Sequence, residues 1–460
     1  MLFRNRETLL ENAASEPLRR LREDALDIME DALRAVDPGE AVRRNMGLKD
    51  PVLTVKGRTW DLNELQNIYI IGGGKACGAM AGATKEILGE RITSGAVNVL
   101  KGTEGRYKLG KIRVNGASHP VPDKTGVQGV EKMLALLDGA GDADLVIVLI
   151  SGGGSSLLVY PDREVSLGDI RDVTSDLLMS GATIGEINAV RKHLSAVKGG
   201  LLAKRAYPAT VVSLILSDVV GDPLDTIASG PTSPDNTSFN DAFHVLKRYR
   251  LWESAPQAVR RRIESGLKGD VQETPKEGDP IFEKVSNYII GNNREAALAA
   301  LDKASALGYN SLLLSTQIEG EAREVGKVLG GIACEALDSG NPVRPRAALI
   351  LGGETTVIVK GDGIGGRNQE TALAASLKIN GLEAILITLA TDGIDGPTEA
   401  AGALVDGATL RRARREGLNP LEYLDENDSF SFFNQLGDAL VTGPTGTNVN
   451  DLNLILVGDS

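Results

Sequence analysis

The sequence predicts an α/β protein in which a mostly parallel sheet is covered by helices on both faces. Apolar runs typical of strands alternate along the chain with stretches of helical periodicity, and glycine-rich turns stand between them. The composition, 42% hydrophobic and 24% charged, is that of a folded globular chain. Glycine accounts for 54 of the 460 residues, well above the usual ~7%. The glycine-rich loops are therefore the first place to look for a site.

The first half of the chain contains one isolated helix followed by an alternating series. Apolar residues recur at helical spacing from Leu18 to Val36, and Asp37-Pro38-Gly39 ends the pattern. Ser166 with Asp169 three residues later is typical of a helix N-cap. We predict helices at 18–36 and 166–180, a helix after Gly72-Gly73-Gly74, and strands at 67–71, 96–100, 145–150 and 211–216.

A polar stretch rich in glycine and proline, residues 265–284, is expected to lie at a domain boundary. We accordingly expect an N-terminal α/β domain over 1–284 and a smaller α/β domain over 285–460. The second domain is predicted to begin with a strand at 288–290, and a hairpin is predicted to turn at Gly352-Gly353-Glu354. Its other predicted elements are helices at 295–306 and up to about 337, and strands at 311–314, 384–390 and 453–457.

Charge and cysteine content exclude several classes of function. The formal net charge is −12, so the chain lacks the basic footprint of a nucleic-acid-binding or membrane-surface protein. Cys77 and Cys334 lie far apart, which suggests neither a disulfide framework nor a zinc cluster. No apolar run approaches the ~20 residues that span a bilayer. We expect a cytoplasmic protein; assembly into a homo-oligomer stays open.

The first candidate loop is Gly72-Gly73-Gly74-Lys75, between a predicted strand and a predicted helix. Glycines there let backbone amides approach a phosphate, and the lysine supplies a point charge. A tight turn with a solvated lysine explains the pattern equally well. The loop is not a Walker A sequence, and the next strand ends at Lys101, where an NAD site would want an acidic residue.

Three further glycine-rich loops lie between regular elements. Ser151–Ser156 follows the most hydrophobic strand of the first half, and its amides and hydroxyls suit a phosphate. Arg367, in Gly361–Glu370, precedes an alanine-rich helix and is suited to grip a carboxylate or phosphate. Thr442–Asp451 is the fourth loop. Each is explained singly as structure, but four in one chain favour phosphate handling.

Acidic and basic side chains follow the same strands. Asp218, Asp222 and Asp225 come after one strand, and Asp392 and Asp395 after another. Carboxylates at strand ends suit Mg²⁺ or the acceptance of a hydroxyl proton, although turn formation explains part of them. His119 lies in a proline-flanked loop that is capable of holding it against a substrate. A basic cluster at His193 either attracts an anion or pairs with acids; it comprises Arg191, Lys192, His193 and Lys198.

Taken together, these loops resemble those of the glycerate 2-kinase family with a C-terminal MOFRL domain. The similarity runs from about residue 20 to the end. It is carried by the ordered strings GGGKA, SHPVPD, ISGGGSS, SGATIGEINAVRKHLSAVKGG, LSDVVGDPLDTIASGPTSPD, GGETTV, GGRNQE, ATDGIDGPTEAAGA and TGPTGTNVNDL. The resemblance implies a Rossmann-like N-terminal domain, a smaller C-terminal domain and an active site in the cleft between them. It also implies ATP- and Mg²⁺-dependent phosphorylation of D-glycerate on its 2-hydroxyl to 2-phosphoglycerate.

The resemblance points to Lys75 and Arg367 as the catalytic candidates. We expect Lys75 to stabilise the transferring phosphoryl group and Arg367 to hold the carboxylate or the same phosphoryl oxygens. Asp218 or Asp392 is expected to hold Mg²⁺ or accept the proton. The nucleotide- or substrate-binding candidates are Gly73, Gly74, His119, Ser151, Gly152, Gly153, Gly154, Ser155, Asp222, Glu354, Asn368, Asp392, Thr445, Thr447 and Asn448.

Two other functions remain open at this point. Some relatives carry the name hydroxypyruvate reductase, and Lys101 leaves room for the 2′-phosphate of NADP. A non-catalytic sensor of a nucleotide or sugar acid would share the same loops, but would tolerate the loss of Lys75 and Arg367 without losing binding. The partners expected are small molecules, D-glycerate and a nucleotide, with neither nucleic acid nor membrane.

Overall fold

The computed structural model describes residues 2–459, which divide into two compact units. The residues up to Asp37 and those from Gly291 onward form unit 1, and Pro38–Ile290 forms unit 2. In the described part of the chain, every helix is too short or too polar to cross a bilayer. The expected domain ranges, 1–284 and 285–460, differ from these units chiefly in the first 37 residues.

Unit 1 begins with two helices, α1 (Arg6–Glu11) and α2 (Glu16–Ala35). The predicted helix at 18–36 is confirmed as α2, which starts where Ser15 accepts a hydrogen bond from the amide of Leu18. Tyr309 donates to Asp24 of α2 at 2.7 Å, so the helix is bound to residues that follow almost three hundred positions later. Such long-range contacts explain why the N-terminus packs with the C-terminal residues.

Unit 2 is built around a six-stranded sheet. In chain order its elements are α3 (Pro38–Asn45), β1 (Met46–Lys49), β2 (Val52–Val55), β3 (Arg58–Asp61), β4 (Asn67–Gly73), α4 (Cys77–Leu88), β5 (Ser94–Leu100), β6 (Ile112–Ala117), α5 (Lys124–Leu137), β7 (Asp144–Ile150), α6 (Gly154–Leu157), α7 (Leu167–Met179), α8 (Ile184–His193), α9 (Leu201–Ala206), β8 (Thr210–Leu216), α10 (Phe239–Arg248), α11 (Gln257–Leu267) and β9 (Val285–Gly291).

The strand order of this sheet is β6-β5-β4-β7-β8-β9, and β6 through β8 pair in parallel. All seven residues of β7 are buried, as expected of a central parallel strand. The predicted α/β class and the strands at 67–71, 96–100, 145–150 and 211–216 are confirmed. The assignment of 288–290 to the second domain is wrong, because β9 forms the edge of this sheet beside β8.

Three helices of unit 2, α7, α8 and α10, begin with complete capping boxes. At α7 the side chain of Ser166 accepts from the amide of Asp169, whose carboxylate accepts from the amide of Ser166, which confirms the predicted cap. Thr183 and Glu186 do the same at α8. The caps fix where α8 starts, and so they fix which of its residues point into the core.

The second part of unit 1 forms a mixed six-stranded sheet of order β10-β11-β15-β12-β13-β14. Its elements are α12 (Asn293–Ala306), β10 (Asn310–Glu321), α13 (Ala322–Ser339), β11 (Ala347–Thr356), α14 (Arg367–Ser376), β12 (Ala384–Ala390), β13 (Gly402–Asp406), α15 (Thr409–Arg415), α16 (Pro420–Asp425), α17 (Ser429–Leu436), β14 (Ala439–Leu440) and β15 (Asp451–Val457).

The predicted hairpin at Gly352-Gly353-Glu354 is wrong, since these residues continue β11 as one strand. The strand pairs with β10 on one side and with β15 on the other, and its partners leave no room for a turn. At Gly353 an added Cβ would clash with the backbone of Ile318, so the glycine permits close strand contact rather than a reversal.

Candidate active site

Two glycine-rich loops of unit 2 are joined to each other at the carboxyl ends of β4 and β7. The amide of Lys75 donates to the carbonyl of Gly152 at 2.8 Å, and the amide of Ala76 donates to Oγ of Ser151 at 3.0 Å. A Cβ on Gly74 would clash with Ser151. Glycine is therefore required where the loops touch, and the pair forms one surface at the sheet edge where ligands of open α/β sheets bind.

Lys75, His119 and Gly153 meet on this surface. A Cβ placed on Gly153 would lie 3.0 Å from Cδ2 of His119 and 3.2 Å from Cγ of Lys75. Gly153 has φ +79°, a conformation that side-chain-bearing residues rarely adopt. The sequence places these residues on three separate loops, and the parallel register brings them together. Gly73, the last residue of β4, and Gly154, the first of α6, are both buried here.

Acidic residues follow β8 on the same edge. The carboxylate of Asp218 lies against Gly152, where an added Cβ would clash with it. Asp222 has φ +57° and lies in the turn that follows, which is consistent with the turn-forming alternative for this residue. Asp225 forms an ion pair with Lys192 at 3.6 Å. Of the three aspartates, Asp218 is the one that we place beside the joined loops.

A buried basic layer lies behind Ser155. The carbonyl of Ser155 accepts hydrogen bonds from Nη2 of Arg191 at 2.7 Å and from Nζ of Lys198 at 2.8 Å. Oγ of Ser155 lies 3.0 Å from Oγ of Ser229. Burial lowers the pKa of Arg191 to about 10; burial together with the charge of Arg191 lowers the pKa of Lys198 well below its ordinary value.

In unit 1, Arg367 at the start of α14 is held by two carboxylates. Its Nε and Nη2 donate to Asp451 at 2.6 and 2.9 Å, and Nη1 lies 3.0 Å from Glu354. Burial alone would lower the pKa of Arg367, but the hydrogen bonds and charges of Asp451 and Glu354 raise it. The Asp451 side chain is 4% exposed and that of Glu354 is 43% exposed. Glu354 is thus the more accessible of the two carboxylates that hold Arg367.

Asn368 follows Arg367 on α14, and its surroundings are structural. Both its amide and its side chain donate to Asp395, which also accepts from the amide and side chain of Gln369. Burial raises the pKa of Asp395, whereas these donors oppose the shift. The carboxylate of Asp395 therefore caps the first turn of α14, a function that a separate loop supplies and that the sequence around Arg367 does not reveal.

The fourth glycine-rich loop is held by its own threonines and by asparagine. Thr445 donates to the carbonyl of Thr391, and Thr447 donates to the carbonyl of Val36, both within unit 1. Asn448 accepts from the amide of Asn450, and Asp392 accepts from the amide of Ile394. These contacts give the four predicted binding residues a clear structural role, and their role in binding stays a prediction.

The site residues thus form two groups. Unit 2 brings together Gly73, Gly74, Lys75, His119, Ser151–Ser155 and Asp218, and unit 1 brings together Glu354 and Arg367 beside Asn368. Among residues 2–459, no cluster of three or more His, Cys, Asp or Glu side chains could hold a metal ion. Arg191 and Lys198 are not among the predicted site residues, although the sequence shows the basic cluster around His193 to which they belong. The signal that could have identified them is the concentration of basic residues there in an otherwise acidic chain.

These features define a two-unit α/β protein with joined glycine-rich loops and a basic side chain in each unit. Two known families correspond to this arrangement. The model of a domain of unknown function, DUF4147, matches residues 24–264, and the model of the MOFRL family matches residues 347–451.

The chain belongs to the glycerate 2-kinase family with a C-terminal MOFRL domain. It is 42% identical to the glycerate 2-kinase of Pyrococcus horikoshii, over 95% of this chain and 97% of that protein. The D-glycerate 2-kinase of Thermotoga maritima is also 42% identical, over 95% and 98%. The crystal structure of a glycerate kinase from Thermotoga maritima superposes with a TM-score of 0.84, covering 95% of this chain and 99% of that one. A putative hydroxypyruvate reductase of Agrobacterium vitis is 45% identical, over 85% and 87%.

Proposed function

We propose that this protein is a D-glycerate 2-kinase, which transfers the terminal phosphoryl group of ATP to the 2-hydroxyl of D-glycerate and releases 2-phosphoglycerate and ADP. The observation that carries the proposal is the 42% identity to two glycerate 2-kinases over 95% of the chain. The joined loops around Lys75 support it, because phosphoryl transfer asks a protein chiefly to position the reactants and neutralise charge.

In this mechanism Lys75 neutralises charge on the transferring phosphoryl group. Its backbone is fixed by the hydrogen bond to Gly152, so the side chain starts from a defined point beside Gly153 and His119. A preorganised charge is worth more than a mobile one, because little reorganisation is needed when charge develops in the transition state. The amides of the glycine-rich loops add further donors for phosphate oxygens.

Arg367 acts through an exchange of partners. Asp451 holds the guanidinium with two hydrogen bonds and sets its orientation, whereas Glu354 is the more exposed partner. An oxyanion of a reactant replaces Glu354 at Nη1 and keeps the bidentate pair with Asp451 intact. The family resemblance implies that Arg367 acts in the same reaction as Lys75, and this stays a prediction.

Mg²⁺ is the metal that we propose to accompany the nucleotide. It binds through one or two carboxylates and completes its shell with phosphate oxygens and water. Asp218, beside Gly152, is the residue that we assign to hold it or to accept the hydroxyl proton. When bound, the ion neutralises charge on the phosphates. Asp392, which accepts from the amide of Ile394 in a turn, is the second candidate.

The test of the function is a coupled assay of the purified chain. ADP release that depends on both D-glycerate and Mg²⁺-ATP supports the kinase. Coupling the product directly to enolase, without a phosphoglycerate mutase, identifies it as the 2-phosphate. Oxidation of NADH or NADPH with hydroxypyruvate, in the absence of ADP release, would overturn the proposal in favour of a reductase.

The variant Lys75→Met tests the role of the lysine. We expect kcat to fall by at least about 1,000-fold, because removal of a preorganised transition-state charge typically costs that much. The matched control is Lys132→Met, which removes an exposed lysine from α5 and should leave kcat within twofold. Near-normal turnover of a folded Lys75→Met variant would contradict the assignment.

A further inference from the structure

Five basic side chains among residues 2–459 are buried, and they differ in what neutralises them: Arg22, Arg191, Lys192, His193 and Lys198. Three lie beside carboxylates. Arg22 contacts Asp406 and Asp438, Lys192 contacts Asp225 and Asp235, and His193 contacts Glu273. Arg191 and Lys198, which are 9% and 2% exposed, form no ion pair with a carboxylate in the part of the chain that the structure describes.

The polar atoms around these two cations are incompletely satisfied. Nε of Arg191 and Nδ2 of Asn188 are buried without a hydrogen-bond partner. Oδ1 of Asn188 is already engaged, because it accepts from Oγ of Ser229 at 2.9 Å. The unsatisfied Nδ2 and Nε are both donors, so the group that would complete this cluster is an acceptor with several oxygens.

The backbone beside the cluster is also strained. Ala228 and Ser229 have φ values of +52° and +63°, which residues other than glycine rarely adopt. The carbonyl of Ala228 lies 3.5 Å from Nζ of Lys198, and Oγ of Ser229 contacts both Asn188 and Ser155. Strain of this kind persists where the surroundings over-determine it, and it is concentrated at ligand sites.

Burying an unpaired charge is costly, and an adjacent cation adds repulsion. The depressed pKa values of Arg191 and Lys198 express that cost. A bound oxyanion would remove it by supplying the missing charge and the missing acceptors together. A carboxylate or phosphate matches the planar guanidinium of Arg191 in particular.

We propose that Arg191, Lys198 and Nδ2 of Asn188 form an oxyanion pocket for a reactant, in the first instance for the carboxylate of the 2-hydroxy acid that accepts the phosphoryl group. The assignment to a reactant rests on the proposed kinase function. The pocket itself follows from the buried and unpaired donors.

The position of the pocket favours the carboxylate of the acceptor. Ser155, which bonds both cations, is two residues from Gly153, which lies against Lys75 and His119. Two residues of chain span at most about 7 Å. In a 2-hydroxy acid the carboxylate and the hydroxyl-bearing carbon are bonded neighbours. The proposed pocket and Lys75 therefore lie along the same glycine-rich loop, the one at Ser155 and the other at Gly153.

One of the three donors, Arg191, also lines a cavity that opens to solvent. Arg191 and Ser156 line a cavity of about 530 Å³, whose other walls include Pro120, Ile170 and Ile187. The mostly apolar wall lowers the local dielectric constant and strengthens the attraction of Arg191 for an anion. An oxyanion entering this cavity meets the basic side chain directly.

The principal test compares Lys198→Met with Lys204→Met. Lys204 is an exposed lysine of α9 that bonds Gln272, so its replacement controls for the loss of one positive charge. In Lys198→Met we expect KM for D-glycerate to rise at least about 10-fold, the usual effect of losing a charge-assisted hydrogen bond. KM for ATP should stay within twofold in both variants.

A neutral analogue separates binding from structure. D-glyceramide replaces the carboxylate by an amide, and the wild-type enzyme should disfavour it relative to D-glycerate. If Lys198 binds the carboxylate, the preference for the acid shrinks at least about fivefold in Lys198→Met. A lysine with a purely structural role would not change that ratio. Arg191→Lys keeps the charge without the planar fork, and it provides a second variant should Lys198→Met fail to fold.

The outcomes distinguish the possibilities. A rise in KM for ATP alone supports the oxyanion pocket and assigns it to a nucleotide phosphate. Unchanged KM values for both reactants in a folded variant overturn the proposal. A thermal-shift titration with inorganic phosphate keeps the test independent of the kinase assay. Stabilisation of the wild type and of Lys204→Met, but not of Lys198→Met, supports the pocket even if no glycerate kinase activity is found; equal stabilisation of all three overturns it.

Discussion

Unit 1 and unit 2 both bury basic side chains, Arg22 in unit 1 and Arg191 with Lys198 in unit 2. The charge of Arg22 is neutralised by carboxylates, whereas no carboxylate among the described residues neutralises those of Arg191 and Lys198. Arg22 is fully buried and donates to two fully buried carboxylates, those of Asp406 and Asp438. Arg191 and Lys198 donate instead to the backbone carbonyl of Ser155. A paired buried cation fixes structure, whereas a cation that is bonded only to neutral carbonyls keeps the capacity to bind an anion.

The largest effect on stability is expected for Arg22→Met. This change leaves the carboxylates of Asp406 and Asp438 buried without their cation, and breaking such a pair typically costs about 3–5 kcal/mol of unfolding free energy. Arg412 also contacts Asp438 and softens the loss at that residue. Urea unfolding measures the loss of unfolding free energy in Arg22→Met. The control is Arg20→Met, which removes a 75% exposed arginine of the same helix. A loss below about 1 kcal/mol, the size expected of a surface ion pair, would contradict the view that the buried pairs of Arg22 fix the structure.

A smaller effect on the unfolding free energy is expected when Lys192 and Lys198, only six positions apart, are replaced one at a time. Lys192→Met leaves Asp235 fully buried, although Thr237 and Thr274 still donate to it. We expect a loss of about 3 kcal/mol. Lys198→Met removes a cation that has no carboxylate partner, so the unfolding free energy should stay the same or rise by about 1 kcal/mol. Equal losses in the two variants, measured by urea unfolding, would show that Lys198 is a structural residue like Lys192.

The smallest expected effect is on the pH dependence of thermal stability, to which the carboxylate of Glu273 contributes. Burial raises the pKa of Glu273, but the hydrogen bond from His193 and the amide of Phe239 outweigh it and lower the pKa to about 2. Because the folded-state pKa is below the unfolded value, this carboxylate stabilises the fold above about pH 4.5 and loses that contribution as the pH falls towards about 2. Glu273→Gln should therefore flatten the decrease in Tm between pH 5 and about 2, with Glu264→Gln on α11 as the control. An unchanged pH profile would mean that the pair with His193 adds nothing to stability.

Local patterns predicted the elements of the fold well. The run at 145–150 is apolar because β7 is buried on both faces, and the Ser166 cap depends on residues only three positions apart. The predicted turn at Gly352-Gly353 was wrong because the same glycines also permit close pairing with β10. A single sequence does not distinguish a glycine that makes a turn from one that permits close strand pairing. The position of β9 depends on which sheet edge accepts the strand, and that is a tertiary property.

The candidate site was predictable only as far as individual loops. The pattern of GGGKA and SGGGSS indicates two turns, whereas their hydrogen bonds to each other require the parallel register of β4 and β7. The carboxylates around Arg367 come from β11 and β15, far from it in sequence. The burial of Arg191 and Lys198 depends on the packing of α8 and the following turn. Composition alone does not predict which basic residues are buried.

The division of unit 1 between the two ends of the chain has a consequence for synthesis on the ribosome. Arg22 and Asp406 are 384 residues apart, and at translation speeds of ~5–20 residues per second the helix waits for its partners for about 20–80 seconds. Unit 2 is continuous and emerges in between, so it has the opportunity to fold first. The nascent N-terminal helix therefore spends that interval with an unmatched arginine and an uncovered apolar face, and such transiently exposed apolar surface is prone to aggregation.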